Sequence, residues 1–394
     1  AVAKCDGDRR WTVREPNAHI RASAGAGTSQ RRRHDCPFTR DMTRVLQPIP
    51  GYAAKLAGAC APVTAALVRA EAASMTKGTA PGLDGIDTDK LCLLPDAGWD
   101  AVAALFNAMF RLRLTPSSCL TALITVIPKA GKQIGTIENS RPITVLPALW
   151  RLFGFIVQSR IATAFEVHGM VRGAQFGFLK GRSAQQMISR TAAVFEHAAT
   201  QDGAPLFACL IDYSKCYDTI QYSTIELCLR RMGFPETLID MLRNMQLQGQ
   251  TRYINATGME HTSPAFRLRA GIAQGCALSP IILVAIQEAV LEYCMSEEER
   301  NAALSGDAYE VTCPGGPDVR CAECWMPDVR GQCPGCPPLA AAQVHSVRVW
   351  DAAFADDSDI YAASWDNLQH RASRHAAAAT FFGFIIAAKK THIL

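Results

Sequence analysis

Three aspartates stand where a sheet could present their carboxylates to solvent. Asp212 closes a short apolar run that is typical of a buried strand. Asp356 and Asp357 lie in the turn of a predicted hairpin, whose strands are expected at 347–354 and 359–363. Carboxylate oxygens bind hard divalent cations such as Mg2+, so the three residues can form a metal site if the hairpin lies beside the strand. Because acidic turn residues also arise for local hydrogen-bonding reasons, three unrelated surface acids are the alternative.

Four cysteines form a second chemistry-bearing group, between a helix expected to end near Met295 and a strand expected near Val347. They occur as two C-x-x-C pairs separated by eight residues. Two such pairs bring four thiolates within reach of one tetrahedral ion, as in zinc ribbons, and a segment with few apolar residues needs such an ion to fold. The pattern predicts a structural zinc site formed by Cys321, Cys324, Cys333 and Cys336. Free cysteines in a loop rich in proline and glycine are the alternative.

The composition indicates a globular chain of enzyme size. Its 394 residues are 49% hydrophobic and 19% charged, and no apolar run approaches the ~18 residues of a membrane span. No secretory leader is recognisable, so we expect an intracellular chain without a membrane partner, whose 15 cysteines are thiols or metal ligands. The chain begins without methionine and stops just after a strand-like stretch, which predicts that it is a fragment.

Basic residues are concentrated at the start of the chain. The first fifty residues hold ten lysines and arginines against five acids, and they include the run Arg31, Arg32 and Arg33. Such an arm can attract phosphates, because contacts of this kind need only charge density. An ordinary solvated tail is the alternative.

Hydrophobic periodicity and turn residues predict the elements that must position these groups. Helices are expected over about 50–73, 100–114 and 148–165. A strand is expected at 122–128, and loops are expected at 79–85, 175–183 and 270–280. Three later features are an Asp218 cap on a helix running to Arg231, a helix from Ser279 to about Met295, and a last helix ended by Gly383.

Eight short motifs occur in a fixed order: TAPGLDGI (79–86), IPKAGK (127–132), NSRPITVLP (139–147), QFGFLKGRS (175–183), LIDYSKCYD (210–218), AQGCALSP (273–280), FADD (354–357) and GFIIAAKKT (383–391). In this order they resemble the reverse transcriptase domain of non-LTR, LINE-type retrotransposons, with group II intron reverse transcriptases as near relatives. Each motif is weak alone. Eight in the expected order, over roughly residues 75–394, make chance similarity improbable.

The resemblance implies an α+β, right-hand polymerase fold with fingers and an antiparallel-sheet palm. The thumb is expected to be missing, and the zinc-binding segment is expected as an insert in the palm. The implied domains are a basic N-terminal extension (1–50), fingers with part of the palm (51–205), a palm segment with the first catalytic aspartate and the Gln-Gly loop (206–296), a Cys-rich zinc-binding insert (297–343), and a palm segment with the Asp-Asp hairpin and the last palm strand (344–394).

The resemblance also implies the activity of an RNA-directed DNA polymerase, which copies retroelement RNA into DNA. Two Mg2+ ions, with Mn2+ as a substitute, would be held by Asp212, Asp356, Asp357 and the backbone carbonyl of Ile211. The implied partners are an RNA template, a DNA primer and deoxynucleoside triphosphates. The implied location is the nucleus, where target-primed integration takes place.

Further residues receive roles from the same family. Lys129, Lys132 and Arg141 would hold the triphosphate, and Lys390 would lie near the leaving pyrophosphate. Tyr217 would place its ring where a ribose 2′-hydroxyl would sit, and so exclude ribonucleotides. The remaining nucleotide contacts would be Tyr213, Gln274 and Gly275, and the contacts to template or primer would be Gly177, Lys180, Gly181 and Arg182.

Two other functions are compatible with the sequence. One is a catalytically inactive or domesticated nucleic-acid-binding domain, which the intact acidic residues Asp212, Asp356 and Asp357 argue against. The other is an RNA-dependent RNA polymerase. Such enzymes must accept the 2′-hydroxyl, and the aromatic ring of Tyr217 disfavours this.

Overall fold

The computed structural model describes residues 3–6, 10–13, 42–129, 131, 140–200, 205–255, 258–294, 309–313, 345–349 and 351–394. The chain folds into two compact units, each built from separate stretches of sequence. The first unit comprises residues 1–45, 171–214 and 287–394, and the second unit comprises residues 46–170 and 215–286. Within the described ranges, no helix is long and apolar enough to cross a membrane.

Both units contain helices and strands. The described helices include α1 Tyr52–Leu56, α2 Ala65–Ser74, α3 Thr88–Leu91, α4 Asp96–Leu112, α5 Ala148–Val167, α6 Ala184–Thr200, α7 Cys216–Thr219, α8 Tyr222–Arg231, α9 Glu236–Gln248, α10 Ser279–Cys294 and α11 Trp365–Phe382. The strands are β1 Ala3–Asp6, β2 Arg10–Val13, β3 Thr121–Pro128, β4 Ser140–Val145, β5 Phe207–Ile211, β6 Gln250–Asn255, β7 Gly258–Thr262, β8 Tyr309–Cys313, β9 His345–Val349, β10 Asp351–Phe354, β11 Asp357–Ala362 and β12 His392–Ile393.

The first unit is organised around a four-stranded antiparallel sheet with the order β10-β11-β5-β12. Helix α11 packs on β5 and β11, and helix α6 contacts β10. Met187 and Val194 of α6 are seven residues apart, so they share one helix face, and both are buried in a core with Ala208 and Tyr361. Burial of each large apolar side chain stabilises this packing by about 1.5–3 kcal/mol.

The second unit contains a mixed sheet with the order β4-β3-β6-β7, in which β3 runs parallel to β6. Its helices α4 and α5 are joined by aromatic packing. The ring of Phe153 lies edge-on to Phe106 at 5.4 Å and stacks on Trp150 at 5.2 Å between ring centroids. These contacts fix α5, and with it the end of β4 that precedes it.

The predicted helix over about 50–73 is wrong as a single element. Helix α1 ends at Leu56, a 3-10 turn follows, and α2 begins only at Ala65. Pro62 lacks an N–H for a continuous helix, and the Thr64 side chain accepts a hydrogen bond from the Leu67 amide at 3.2 Å, which starts a new helix. The other predicted helices near 100–114 and 148–165 and the strand near 122–128 are present as α4, α5 and β3.

Asp218 does not cap the helix that runs to Arg231. It lies inside the short helix α7, and α8 begins afterwards at Tyr222 with Gln221 as its N-cap residue. The break falls at Ile220, whose backbone is extended with φ −63° and ψ 130°. The predicted helix start at Ser279 and the helix end at Gly383 are both confirmed. Gly383 adopts φ 86°, the left-handed conformation that commonly ends a helix.

The loop at 79–86 supports the start of α5. The Asp84 carboxylate accepts a hydrogen bond from the Ala148 amide at 2.7 Å, which satisfies a free N–H at the helix N-terminus. Arg151, one turn further on, donates to the carbonyl oxygens of Ala80 and Ile86. The acid of this motif therefore has a structural role.

Candidate active site

The three aspartates meet at one end of the first unit's sheet. Strands β5 and β11 are antiparallel, and Ile211 at the end of β5 pairs with Ser358. Extending this register by one residue places Asp212 opposite Asp357, and facing residues of antiparallel strands have Cα atoms ~4.5–5.5 Å apart. Asp356 precedes Asp357 in the turn that joins β10 to β11. The hairpin therefore lies beside the strand, as the metal-binding hypothesis requires.

The crowding of these carboxylates changes their ionisation. Burial raises the pKa of Asp356, and the nearby Asp212 adds to the effect. Burial also raises the pKa of Asp357 to about 6, with further contributions from Asp356 and Asp212. Negative charge in this place is costly, so a cation bound among the acids would be stabilising. All three donors are carboxylate oxygens, the ligand type that Mg2+ prefers.

Lys390 supplies a positive charge to this acidic cluster. Its Nζ donates to Asp212 Oδ2 at 2.5 Å, and this hydrogen bond raises the pKa of Lys390. The Ala387 amide donates to the Asp212 carbonyl at 2.8 Å, so the segment that carries the lysine is tied to the end of β5. Within the described residues, no three His, Cys, Asp or Glu side chains are arranged as a cation site. The aspartates therefore share a location, and one of them is paired with an ammonium group.

Tyr213 follows Asp212 but points into the protein core. Its side chain is only 3% exposed, and its hydroxyl lies 2.5 Å from His375 Nε2. The ring also stacks on Phe384 at 4.7 Å, and the other ring nitrogen of His375 contacts Cys294 Sγ at 3.3 Å. The Tyr213 side chain therefore packs the sheet onto α11, and a nucleotide contact by this residue stays a prediction.

The motif at 175–183 is divided between buried and exposed residues. Gly177 is buried, and a Cβ at its position would overlap the Ala355 backbone, so this position needs glycine for close packing, while its template contact stays a prediction. The Arg182 guanidinium donates to the carbonyls of Arg172 and Gln175, which holds its own segment together. Lys180 and Gly181 are exposed and remain accessible to a ligand.

In the second unit, the Gln-Gly loop lies against β4. The Thr144 amide donates to the Gln274 carbonyl at 2.6 Å. Gly275 has φ 109°, and a Cβ there would come within 2.5 Å of the Thr144 carbonyl oxygen, so this position needs glycine. Arg141 is exposed on the same strand, three residues earlier. Arg141 and the Gln-Gly loop are thus both attached to β4, the loop at Thr144 and Arg141 as a residue of the strand.

Tyr217 and Lys129 belong to the same unit. The Tyr217 carbonyl accepts a hydrogen bond from the Ile272 amide at 2.7 Å, which links α7 to the Gln-Gly loop, and the tyrosine is half-buried. Burial raises the pKa of Asp218 in α7, and the positive charge of Lys129, which follows β3, acts against this rise. Lys132 lies outside the described residues. Cys321, Cys324, Cys333 and Cys336 also lie outside them.

A groove opens beside the acidic cluster within the first unit. Its volume is about 620 Å³, and its walls come from α6 and from the sheet. Met187, Ile188 and Phe195 form its apolar side, whereas Asp212, Asp357 and Lys390 form its charged side. The cluster is therefore accessible to a ligand.

Comparison with known proteins relates part of the chain to a known family. Residues 127–304 match the family model described as reverse transcriptase (RNA-dependent DNA polymerase). The matched segment of the chain is therefore similar to reverse transcriptases. The match includes Asp212 and the Gln-Gly loop, and it stops before the Asp356-Asp357 hairpin, which the structure joins to Asp212 through the pairing of β5 with β11.

Relatives of the chain are named as polymerases of mobile elements. The RNA-directed DNA polymerase from mobile element jockey of Drosophila funebris is 26% identical over 56% of this chain and 24% of that protein. The probable RNA-directed DNA polymerase from transposon X-element of Drosophila melanogaster is 26% identical over 52% and 22%. The Pol polyprotein from the type-1 retrotransposable element R2 of Nasonia vitripennis is 24% identical over 55% and 20%. The matched region thus spans about a fifth to a quarter of these relatives.

Among solved structures, a truncated apo telomerase from Candida tropicalis superposes with a TM-score of 0.43 and 12% identity, covering 76% of this chain and 56% of the telomerase chain.

Two residues of the candidate site were missed by sequence reasoning. Asp359 lies two residues beyond Asp357 on β11, lines the groove, and accepts hydrogen bonds from Tyr361 at 3.0 Å and Thr191 at 3.3 Å. Alternation along a strand could have found it, because residues i and i+2 share a face. Gln175 hydrogen-bonds to the hairpin, and no spacing rule in the sequence indicates that contact.

The first unit is expected to lose stability as pH falls from 6.5 to 4, in part because of His375. Burial lowers the pKa of His375 from 6.5 to about 4, so the unfolded state binds a proton at higher pH than the folded state. The loss attributable to His375 is up to about 1.4 kcal/mol per pH unit in this window. Denaturant titrations at several pH values would compare wild type with His375→Gln, which keeps a hydrogen-bonding group without titrating. Equal pH slopes in the two proteins would contradict the assignment.

Divalent cations are expected to stabilise the first unit more at pH 7.5 than at pH 5, since the raised pKa of Asp357 leaves it protonated in acid. Without metal, the same shift lowers stability as pH rises from 3.8 to about 6, because the folded state binds the proton more tightly. Asp357→Asn should therefore raise the metal-free unfolding free energy by about 1 kcal/mol, discounted for partial solvent exposure, and reduce the Mg2+ effect. Thermal melts with and without Mg2+ test this, with Asp100→Asn, an exposed acid of α4, as the control. A Mg2+ effect of equal size in Asp357→Asn would refute it.

Proposed function

We propose that the chain is the RNA-directed DNA polymerase part of a non-LTR retrotransposon protein, which copies retroelement RNA into DNA. The observation that carries the proposal is the acidic cluster, in which Asp212 faces Asp357 with Asp356 in the adjoining turn. It occurs in a chain of which residues 127–304 match the reverse transcriptase family model. The partners proposed are an RNA template, a DNA primer and deoxynucleoside triphosphates, and the proposed place of action is the nucleus.

The reaction joins a primer 3′-hydroxyl to the α-phosphate of the incoming nucleotide and releases pyrophosphate. Two bound divalent cations, Mg2+ or Mn2+, would stabilise the charge on the attacking and leaving oxygens. The three aspartates and the carbonyl of Ile211 would hold them, because these oxygens are the donors that such cations bind. Asp212 and Asp356 are half-buried and Asp357 is exposed, so the carboxylates can attract a cation that arrives from solvent.

Lys390 has two states in this scheme. In the structure its ammonium is paired with Asp212 Oδ2, and a cation held by this carboxylate would compete with that ion pair. Exchange of the lysine for a cation is sterically open because the Lys390 side chain is 69% exposed. Once released, the ammonium is free to donate a proton or a hydrogen bond to the departing pyrophosphate.

The sheet of the first unit is proposed as the palm, and the basic residues before the Gln-Gly loop are proposed as fingers residues. Lys129, Lys132 and Arg141 would bind the triphosphate, and Gln274 and Gly275 would border the new base pair. The tie between Thr144 and Gln274 supports a shared role for Arg141 and the loop. Lys180 and Gly181 are proposed as template contacts, since both are exposed.

Primer extension with the purified chain tests the proposed function. We expect extension of a DNA primer on an RNA template with deoxynucleotides and Mg2+, and little extension with ribonucleotides. Tight binding of primer-template without extension would support an inactive nucleic-acid-binding domain instead. Extension with ribonucleotides in preference to deoxynucleotides would support an RNA polymerase.

We also propose that Cys321, Cys324, Cys333 and Cys336 bind one structural zinc ion. Their two C-x-x-C pairs support this, because four thiolates suit a closed tetrahedral site. Metal analysis of reduced, freshly purified protein is expected to return about one zinc per chain, and the double substitution Cys333→Ser with Cys336→Ser should remove it. Cys92→Ser, in the second unit, is the matched control. Absence of zinc from the wild type would exclude the site.

A further inference from the structure

We propose that Gln175 is a positioning residue for the catalytic hairpin: its side-chain oxygen holds the backbone of Ala355, so that Asp356 and Asp357 keep the geometry needed to bind cations. The inference rests on the proposed function, because it concerns the same carboxylates. It adds a residue to which neither the motifs nor the comparisons assign a role.

The hairpin turn needs outside support. Phe354 pairs with Asp357, so the turn contains only Ala355 and Asp356. Ala355 has φ 59°, a left-handed conformation that is unfavourable for a residue with a Cβ. Such a conformation persists when neighbouring structure holds it in place. Whatever holds Ala355 therefore also sets the direction of the two aspartates that follow.

Gln175 supplies that support from a different segment. Its side chain is fully buried, and its Oε1 accepts hydrogen bonds from the Ala355 amide at 3.3 Å and the Gly177 amide at 2.7 Å. Its Nε2 is buried without a hydrogen-bond partner in the described structure. A buried amide nitrogen without a hydrogen-bond partner costs free energy and is uncommon. A glutamine that keeps this cost indicates that the two hydrogen bonds accepted by its oxygen are what the position requires.

The backbone around Gln175 is docked on the hairpin at the same place. The Phe176 amide donates to the Ala353 carbonyl at 2.7 Å, and the Ala353 amide donates to the Ala174 carbonyl at 2.8 Å. Gly177 lies so close to Ala355 that a Cβ would overlap its amide nitrogen. The segment thus forms a short parallel bridge with β10, and this bridge delivers the Gln175 oxygen to the turn.

The first test is Gln175→Met in the full chain, which conserves volume and removes the strong acceptor. Hydrogen exchange in a peptide covering 351–360 should become faster, and Mn2+ binding measured by calorimetry should weaken about ten-fold. In primer extension, kcat should fall about 10–100-fold with KM for the deoxynucleotide unchanged within about two-fold, as expected when reacting groups are displaced slightly.

Rescue separates positioning from a general loss of packing. Glycine adopts positive φ without steric cost, so Ala355→Gly should restore most of the Mn2+ affinity when added to Gln175→Met, and should change the wild type little. A purely structural role for Gln175 predicts no such rescue. Gln287→Met is the matched control, since Gln287 is another fully buried glutamine of the first unit whose side chain has no hydrogen-bond partner in the described structure.

Unchanged Mn2+ affinity and hydrogen exchange in folded Gln175→Met would overturn the proposal, as would equal changes in Gln287→Met. If Gln175→Met does not fold, Gln175→Asn is the second variant, because its shorter side chain withdraws the oxygen by one methylene. Its Mn2+ affinity must then be weakened by the same ten-fold. Mn2+ binding and exchange do not require polymerisation. A wild type that binds Mn2+ and responds to these substitutions, but extends no primer, would therefore refute the proposed function and leave this inference standing.

Discussion

Asp212→Asn is expected to lower the rate of nucleotide addition by about 10³-fold or more. The Asp212 carboxylate lies beside Asp356 and Asp357 and lines the groove, so it is a central member of the proposed cation site. The amide keeps the size of the side chain and removes the negative charge that a divalent cation requires. It also removes the charge that pairs with Lys390, so the ammonium keeps at most a hydrogen bond to a neutral amide oxygen. Single-nucleotide incorporation on an RNA template, measured under pre-steady-state conditions, gives the rate directly.

Two comparisons make this result specific to the acidic cluster. Asp357→Asn should give a loss of similar size, because it faces Asp212 across the strand pair, whereas the exposed Asp100→Asn should not. Binding of primer-template should change little in all three, since positively charged and polar surfaces supply most of that affinity. Extension by Asp212→Asn at more than a tenth of the wild-type rate would show that the carboxylate is not a ligand in the reaction.

Tyr217→Ala is expected to reduce the preference for deoxynucleotides over ribonucleotides by about 10²-fold, expressed as the ratio of kcat/KM values. A bulky ring can exclude a 2′-hydroxyl only if it is held in place. The Tyr217 carbonyl is hydrogen-bonded to the Ile272 amide, in the loop that leads to Gln274 and Gly275. The backbone that carries the ring is thus joined to the loop that leads to Gln274 and Gly275, so the ring and the loop start from a fixed relative position.

Tyr217→Phe is the matched control, because it keeps the ring and removes only the hydroxyl. We expect its sugar preference to equal that of the wild type. The measurement is competition between each ribonucleotide and its deoxynucleotide on one template. If Tyr217→Ala discriminates as well as Tyr217→Phe, sugar selection comes from another part of the site.

Local sequence was a reliable guide to the elements that carry the acidic cluster. The apolar run before Asp212 forms β5, and the strands around Asp356 and Asp357 form the predicted hairpin. These elements were predictable because apolar alternation and turn residues act over a few neighbouring residues. The same local patterns overpredicted the helix at 50–73, because the alanine-rich periodicity continues on both sides of Pro62, where the helix is interrupted.

Motif membership was a poor guide to side-chain direction. Asp212 and Tyr213 are adjacent in one motif, yet Asp212 faces the groove and Tyr213 packs against His375 in the core. The reason is geometric, because successive residues of extended backbone point to opposite sides. In the motif predicted to contact the template, Gly177 packs closely on Ala355 and the Arg182 guanidinium holds its own segment, which motif membership did not indicate.

The sequence by itself determined which residues can do chemistry, because carboxylates, thiolates and glycines have their reactivity or flexibility at any position. It also determined the strands and turns that local patterns specify. Only the tertiary structure decided that residues 212 and 357, which are 145 positions apart in the chain, face each other, that Lys390 neutralises one of them, and that Gln175 reaches the hairpin. Strand register and long-range hydrogen bonds depend on how the whole core packs, and no short stretch of sequence contains that information.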